Sequence, residues 1–408
     1  MINGWKNERI GNLVYIVNGG TPSTNIQEYW NGDIIWVTPS DITKRKSKYI
    51  SDCDRKITQL GLINSSATLV PKNTILLCTR ATVGEKSIAK KEMATNQGFK
   101  NLICKNINYN YMYYALETVK KEMIDNSYGS TFLELSKKNL EKIEIKMPID
   151  MREQKAIADT LTNIDNLIDL LQKTIEKKEK TYNSLLDELF GNKYNKSEDA
   201  RIWRKVELVD LCHLITKQTG FDYTAYIKPN LIKTKNSNSL PMIQNKDFKN
   251  KEFKYSTDYY LSKNIANDFP KLWLKEPCLL ITIVGSIGNI GLFNAEQEVF
   301  CGGAIGLLKF NKVEDLKYAY YCMKSKVGQN QLHINTKGST QPTVTLEDIR
   351  KIWIPYFNDK QDRNKCVELL SELEDDIAIS KKILIKYKQI KEGMMEDLLT
   401  GKVRLNYE

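Results

Sequence analysis

The side chains able to do chemistry in this 408-residue chain sit in short polar or glycine-rich stretches. The first half offers Thr21, Ser23 and Thr24 after Gly19-Gly20. It continues with Thr38 and Ser40 around Pro39, the basic run Lys44, Arg45, Lys46 and Lys48, then Arg80 with Thr82, and Ser130 and Thr131 after Gly129. The second half offers Lys217, Gln218 and Thr219, then Asn245 and Lys246, Ser286 with its neighbouring glycines, and Ser339, Thr340 and Gln341 after Gly338. These residue types make hydrogen bonds and ion pairs. Lysines can hold phosphates, and Arg, Asn, Gln, Ser and Thr can read base edges in a major groove. Turn formation and helix capping account equally well for the Thr-Pro-Ser and Gly-Ser-Thr segments. Arg80, a long cation beside Thr82-Val83-Gly84, is the strongest single candidate for a contact, with a surface salt bridge as its other explanation.

Covalent chemistry lacks its signatures. The sequence has no Asn-Pro-Pro-aromatic or Asp-Pro-Pro-aromatic tetrapeptide of the kind that holds a flipped adenine, and no phosphate loop, since Gly401-Lys402 is followed by Val403. Its two histidines, His213 and His333, have no evident partners. His213 lies in an apolar run and reads as packed. The pair Asp375-Asp376 reads as a solvated helix face. Eight cysteines (Cys53, Cys78, Cys104, Cys212, Cys278, Cys301, Cys322, Cys366) form no C-x-x-C pair, so neither zinc nor a disulfide framework is indicated. The sequence therefore reads as a non-catalytic chain with no metal or cofactor of its own, in a reducing cytoplasm.

A formal charge of +11 suits a polyanion, because each neutralised phosphate releases counterions. Only ten of the 61 basic residues are Arg, however, and a richness in Lys, Asn and Ile is also what an AT-rich genome produces. The longest apolar stretch, Cys278 to Val284, is far short of the roughly 18 residues that span a bilayer. Met1 leads directly into a polar segment, so no targeting signal is expected.

What positions the polar stretches is a repeat. Trp5, Ile10 and Leu13 recur as Trp203, Leu208 and Leu211, and Leu76-Leu77-Cys78-Thr79 with Gly84 recurs as Leu280-Ile281-Thr282 with Gly288. Gly98 is answered by Gly303, Tyr113-Tyr114 by Tyr320-Tyr321, and Gly129-Ser130-Thr131 by Gly338-Ser339-Thr340. Ser136 and Thr345 each head a segment ending in Pro148 or Pro355, and Leu189-Phe190-Gly191 is answered by Leu399-Thr400-Gly401. The offset runs only from 198 residues (Trp5 to Trp203) to 210 (Gly191 to Gly401), with order preserved.

Each half divides into a mixed α+β module and a helix. The modules cover 1–149 and 201–357, with β-type runs at Ile34 to Val37, Thr74 to Cys78, Leu279 to Ile283 and Ile352 to Ile354. The helices cover 150–191 and 358–402, with a polar linker at 192–200; Asp150 with Glu153, and Asn358 with Gln361, are the expected capping pairs. Ile157, Leu161, Ile164, Ile168, Leu171, Ile175, Tyr182, Leu185 and Leu189 form a heptad seam broken by Lys178. Leu370, Leu373, Ile377, Leu384, Tyr387, Met394 and Leu398 form a second, interrupted by Ser380 and Lys391. A helix of roughly 38 residues is about 57 Å long, against about 40 Å for the diameter of a module, so the helices are expected to pair antiparallel with pseudo-two-fold symmetry. Two different modules so held predict a split, asymmetric DNA target separated by unread bases.

The stretch Gly19-Gly20-Thr21-Pro22-Ser23 and the run Tyr29-Trp30-Asn31-Gly32-Asp33-Ile34-Ile35-Trp36-Val37-Thr38-Pro39-Ser40-Asp41-Ile42 resemble the target recognition domain of specificity subunits in type I restriction-modification systems. So do Thr95-Asn96-Gln97-Gly98, Arg152-Glu153-Gln154 at a helix start, and the Leu-Phe-Gly and Leu-Leu-Thr-Gly-Lys helix ends. The likeness covers essentially the whole chain. The second module departs from it, with Lys217-Gln218-Thr219-Gly220 for the glycine motif and Ile243-Gln244-Asn245-Lys246-Asp247 for the Trp-Val-Thr-Pro-Ser-Asp run. The resemblance implies double-stranded DNA as ligand, two methyltransferase subunits docked at the helical spacer, and restriction subunits joining them. S-adenosylmethionine, ATP and magnesium would belong to those partners, which would methylate adenine and cleave. The competing reading is a non-enzymatic coiled-coil scaffold joining two protein-binding domains.

Overall fold

A computed structural model describes residues 4–45, 47–129, 133–191, 203–249, 252–253, 257–338 and 342–405. The linker expected at 192–200 lies outside them, as do Lys46, Ser130, Thr131, Ser339, Thr340 and Gln341. The chain forms two compact units. One is Met1–Gln172 with Lys382–Glu408, and the other is Lys173–Lys381. Each long helix, Met151–Phe190 and Lys360–Thr400, contributes one part to each unit.

In the first unit β1 (Trp5–Arg9) leads through a short turn of helix into β2 (Val14–Asn18), followed by β3 (Trp30–Val37), β4 (Tyr49–Ile50), β5 (Lys56–Ile57), β6 (Ile75–Cys78), β7 (Lys86–Ala89), β8 (Ala94–Thr95), β9 (Phe99–Cys104) and β10 (Glu144–Pro148). One sheet has the order β2-β9-β6-β7-β4, and a smaller one the order β5-β3-β8 with β3 parallel to β8. β6 is buried along its whole length, as its unbroken Ile-Leu-Leu-Cys run requires. β1 pairs antiparallel with β10, Trp5 opposite Pro148, so the module begins and ends at the root of the first long helix.

The second unit repeats the plan. β11 (Trp203–Glu207) pairs with β23 (Trp353–Phe357), and β12 (Cys212–Thr216), β22 (Ile305–Phe310), β19 (Cys278–Thr282) and β20 (Ile290–Phe293) reproduce, in that order, the first four of the five strands of the main sheet. β14 (Ser239–Ile243) runs parallel to β21 (Val299–Cys301), as β3 does to β8, in a second sheet of order β13-β17-β14-β21-β18 with β13 (Leu231–Ile232), β17 (Tyr260–Ser262) and β18 (Trp273–Leu274), while β15 (Phe248–Lys249) pairs with β16 (Glu252–Phe253). Backbone bonds also repeat. Thr79 N–H donates to Gly98 O at 2.8 Å and Ile283 N–H to Ala304 O at 2.9 Å, so the structural counterpart of Gly98 is Ala304, one residue beyond the match expected from sequence.

The helix seams are buried or half-buried in both units, with two corrections. Near the end of the first helix the buried positions are Tyr182, Leu186 and Phe190, so the seam slips by one residue from the expected Leu185 and Leu189. The polar interruptions turn out to be contacts. In the second unit Lys178 Nζ donates to Ser380 Oγ at 3.0 Å and pairs with Asp376 at 2.7 Å, and Lys381 pairs with Glu179 at 3.0 Å. In the first unit Lys391 pairs with Asp165 at 2.6 Å, and Arg404 meets Glu153. In the first unit the pairs run from Glu153 with Arg404 to Asp165 with Lys391, and in the second from Lys178 with Ser380 to Tyr182 beside Glu374, so rising numbers meet falling numbers and the pairing is antiparallel within each unit. Polar pairs in an apolar seam fix register, because a slip would leave them unmatched.

Asp150 caps the first helix, accepting from Arg152 N–H at 2.8 Å, but Glu153 does not complete a capping box with it. Its carboxylate is 1% exposed and accepts from Trp5 Nε1 at 3.2 Å and from Arg404 Nε and Nη2 at 2.9 and 2.7 Å. At the second helix Asp359, rather than Asn358, accepts from Gln361 N–H, at 2.8 Å. Gln154, also buried, accepts from Asn108 N–H and donates to Pro148 O, both at 2.9 Å. His213 is not packed: it is exposed where the β12–β22 register shifts between Cys212 and Leu214. Among the described residues no helix is long and apolar enough to cross a membrane.

Truncating Arg404 strands the buried Glu153 carboxylate with fewer donors. We expect Arg404→Ala to cost on the order of 2–3 kcal/mol, below the range for a fully buried pair because the guanidinium is partly solvated. Urea unfolding of the purified chain measures it, and an unchanged midpoint would refute the role assigned to the pair.

Candidate nucleic-acid interface

Several of the sequence candidates converge on one edge of each module. In the first, Gly20 N–H donates to Thr95 O at 2.8 Å and Trp36 Nε1 to Gly20 O at 2.9 Å, while Thr21 Oγ1 donates to Gln97 Oε1. A Cβ on Gly19 would lie 1.8 Å from Asn96 O, and one on Gly20 2.2 Å from the Ser66 carbonyl carbon. Only glycine permits this approach, which is the physical content of the Gly-Gly-Thr-Pro motif. Asn96 N–H then donates to Val37 O at 3.0 Å, Thr79 N–H to Gly98 O, and Leu135 N–H to Thr79 O at 2.9 Å. A chain of backbone bonds thus gathers the loops at Gly19–Thr24, Thr38–Asp41, Asn96–Gly98 and Arg80–Thr82.

Individual side chains fall into distinct settings. At the start of the helix Pro39–Arg45, Asp41 Oδ2 accepts from the Thr38 N–H at 2.8 Å and from its hydroxyl at 2.6 Å, and Ser40 Oγ lies 2.8 Å from Thr38 Oγ1. Ser23, Thr24, Ser40 and Lys44 are exposed. Arg45 donates to Asp52 O at 2.5 Å and is also exposed. Thr82 shares a shallow cleft with Thr43, Val83 and Glu85, which brings the Arg80 loop against that helix. Arg80 itself is ion-paired, its Nε donating to Glu134 Oε2 at 3.1 Å, with Lys100 on the other oxygen at 3.7 Å. The salt bridge that its residue type allowed is therefore made, though the side chain stays 41% exposed.

Lys48 does not join this edge. Its ammonium donates to Thr162 Oγ1 of the first long helix at 2.7 Å and to Tyr114 Oη at 3.2 Å, and lies over the Tyr49, Tyr113 and Tyr114 rings at 5.2, 5.5 and 4.5 Å. Burial pushes its pKa down to about 8, against the opposing pull of Asp165 and Asp159.

The second module builds the same edge from different residues. Gly302 N–H donates to Ile243 O at 2.8 Å, as Asn96 does to Val37. Asp247 accepts from the Gln244 N–H at 2.7 Å as Asp41 does from Thr38, within a Gln244–Asp247 capping box, which explains how Gln-Asn-Lys-Asp replaces Thr-Pro-Ser-Asp without loss of the turn. Asn245 Nδ2 donates to Val284 O at 2.6 Å, and Gly285 N–H to Pro342 O at 3.0 Å. Thr219 Oγ1 caps the next turn by accepting from Asp222 N–H at 3.1 Å. Lys246 pairs with Asp258 at 2.6 Å and covers the Tyr259 ring. Lys217 is half-buried, and Ser286 is exposed beside Gly285, which has φ 74°. Ala81, at the matching place in the first module, adopts φ 64°, a strained conformation for alanine that the loop retains. Gln218 stands where the first module has a glycine; it is 4% exposed, with neither amide atom hydrogen-bonded, and Asn245 Oδ1 is likewise unmatched. An unmet buried amide costs about 1–3 kcal/mol, so these two side chains have capacity for a partner.

Sequence reasoning missed Gln97 and Glu134 as members of the edge. Gln97 stood in a motif quoted for other reasons, and Glu134 carries no local signal. Among the described residues no group of three His, Cys, Asp or Glu side chains could hold a metal ion.

With folded and ordinary pKa values of about 8 and 10.5, Lys48 binds its proton less tightly in the folded unit. Its burial cost is fully present below pH 8 and is relieved as pH rises toward 10.5. The stability of the wild type relative to Lys48→Met is expected to increase between pH 7 and pH 9.5. Chemical unfolding at both pH values checks this; a flat or falling difference would contradict the placement of the ammonium.

The family model described as "Type I restriction modification DNA specificity domain" matches residues 2–180 and again 201–389. The type I restriction enzyme MjaIX specificity subunit of Methanocaldococcus jannaschii is 29% identical over 98% of this chain and 94% of its own length. The EcoR124I/EcoR124II specificity subunit of Escherichia coli is 28% identical over 46% of this chain and 48% of its own. The crystal structure of a type I restriction-modification S subunit from M. genitalium shares the fold, with TM-score 0.63 and 16% identity over 98% of this chain and 97% of that one.

Proposed function

The chain belongs to the type I restriction modification DNA specificity family, and from that premise we propose how it works: each of its two modules reads one half of a split DNA sequence through its gathered loop edge. It is a DNA-recognition subunit, and the chemistry belongs to its partners. The observation that carries this reading is the duplicated edge, in which segments far apart in sequence are drawn together twice by the same backbone bonds, Asn96 to Val37 and Gly302 to Ile243, Thr79 to Gly98 and Ile283 to Ala304.

On each edge the free cations and the hydrogen-bonding side chains have different work. Lys44 and Lys217 hold phosphates and set the position of the duplex. Ser23, Thr24, Ser40 and Gln97 in one module, and Ser286 in the other, offer the exposed donors and acceptors that distinguish base pairs, whereas the buried amide atoms of Gln218 and Asn245 reach a base only if their loops open. Arg80 reaches DNA only by leaving Glu134, an exchange of one anionic partner for another. Because the edges differ in sequence, the two half-sites differ.

The chain assembles with other subunits of a restriction-modification complex. We assign it two methyltransferase subunits at the long helices and restriction subunits beyond them. Adenine methylation with S-adenosylmethionine, and cleavage with ATP and magnesium, belong to those partners, in the cytoplasm.

Exchanging residues 203–357 for the second module of a relative, in a chain co-expressed with its methyltransferase, is expected to change one half of the methylated sequence and leave the other intact; a change in both halves would overturn independent reading. Lys44→Ala should weaken binding of the assembled complex to all duplexes alike and reduce the slope of log affinity against log salt by about 0.9. An unaltered slope would remove Lys44 from the phosphate contacts.

A further inference from the structure

The helix that follows the last strand of each main sheet carries a tyrosine pair, and in both units the pair meets a carboxylate of a long helix. In the first unit Tyr114 Oη donates to Asp165 Oδ2 at 2.6 Å, and Lys391 of the opposing helix holds Asp165 Oδ1 at 2.6 Å. In the second, Tyr320 and Tyr321 donate to the two oxygens of Glu374 at 3.1 and 3.2 Å, with Lys324 on the same carboxylate. Asp165 and Glu374 are 209 residues apart and Tyr114 and Tyr321 207, both within the offset of the repeat. The rings stack edge-on in each pair, with centroids 5.3 and 4.9 Å apart. Burial first, then the neighbouring carboxylate, raises the phenol pKa of Tyr114, and the same holds for Tyr320 and Tyr321, so all three remain donors.

We propose that these two tyrosine–carboxylate contacts are latches that set the angle of each recognition module on its long helix, making Tyr114 with Asp165, and Tyr320 and Tyr321 with Glu374, positioning residues for DNA reading. This rests on the function proposed above. The bulk of the junction is apolar, with Ile157, Ala158 and Leu161 packed into the core of the first module and Leu370 and Ile377 into that of the second, and the first module adds polar contacts near the helix start from Trp5 and Asn108 and one from Lys48 to Thr162. Apolar burial is non-directional and tolerates small rotations, whereas a hydrogen bond to a fixed carboxylate does not. For a module with a radius of gyration of about 15 Å, a loop roughly 20 Å from the contact moves about 3–4 Å for a 10° rotation. Base-edge contacts need placement within about 0.5 Å. Duplication has kept the geometry while changing the residues: Asp became Glu, and the cation comes from the opposing helix in one unit and from the tyrosine helix in the other.

The test uses the chain co-expressed with its methyltransferase partner, reading methylated adenines across the host genome by long-read sequencing, together with the melting temperature of the purified complex. Tyr114→Phe is expected to lower discrimination at least tenfold in one half of the target and leave the other half unchanged. The double variant Tyr320→Phe, Tyr321→Phe should do the reverse. Asp165→Asn keeps an acceptor for the tyrosyl O–H but loses the ion pair with Lys391, so it should melt lower yet retain discrimination within about twofold. Discrimination that follows melting temperature across these variants, or a uniform fall in methylation with both halves intact, would overturn the latches. A wild-type complex that methylates without sequence preference would instead sink the DNA-specificity reading itself.

Discussion

A carboxylate on each long helix, Asp165 in one unit and Glu374 in the other, is the constraint on which the rest of each unit depends. It is partly withdrawn from water and so must be matched, and its partners come from the elements that have to be joined. Asp165 takes a tyrosyl hydroxyl from the module and an ammonium from the opposing helix; Glu374 takes two tyrosyl hydroxyls and an ammonium. The apolar seam supplies the bulk of the association, about 25 cal/mol per Å² removed from water, but without direction. The carboxylates, together with Lys178 on Ser380 and Asp376, give it direction and register.

Upon that base each module closes by pairing its first strand with its last, Trp5 opposite Pro148 and Trp203 opposite Phe357. The loops at the other strand ends are then free to vary, provided that the backbone bonds gathering them survive. The second module shows how much variation this allows. It abandons Gly-Gly-Thr-Pro and Thr-Pro-Ser-Asp, yet its Gln244–Asp247 capping box restores the turn and Gln218 takes the glycine's place with its amide unmatched.

The repeat, the two long helices and the alternation of modules with helices were legible because they rest on patterns that no tertiary contact is needed to read, namely heptad spacing and an ordered set of matches. The polar interruptions Lys178, Ser380 and Lys391 were visible but uninterpretable, since their partners lie on the other helix. Glu153 looked like a capping residue because its local neighbours fit that role, and only the fold brings Trp5 and Arg404 to it. His213 looked packed because its neighbours are apolar, until a register shift turned it outward. The candidate edge was legible as a set of loops. Which of the candidate side chains are engaged elsewhere was not: Arg80 with Glu134, Lys246 with Asp258 and Lys48 with Thr162 all pair with residues distant in sequence. Members such as Gln97 became recognisable only when β8 and the Gly19–Thr24 loop were seen to meet.

The central claim is that two different loop edges of one chain read a split sequence on behalf of partners that do the chemistry. Its most direct test is to map methylated adenines in a host carrying the partner methyltransferase gene with and without the gene for this chain. The account predicts a single asymmetric motif, in two parts separated by unread bases, present only when the chain is present. The same motif in its absence, or one continuous motif, would contradict it.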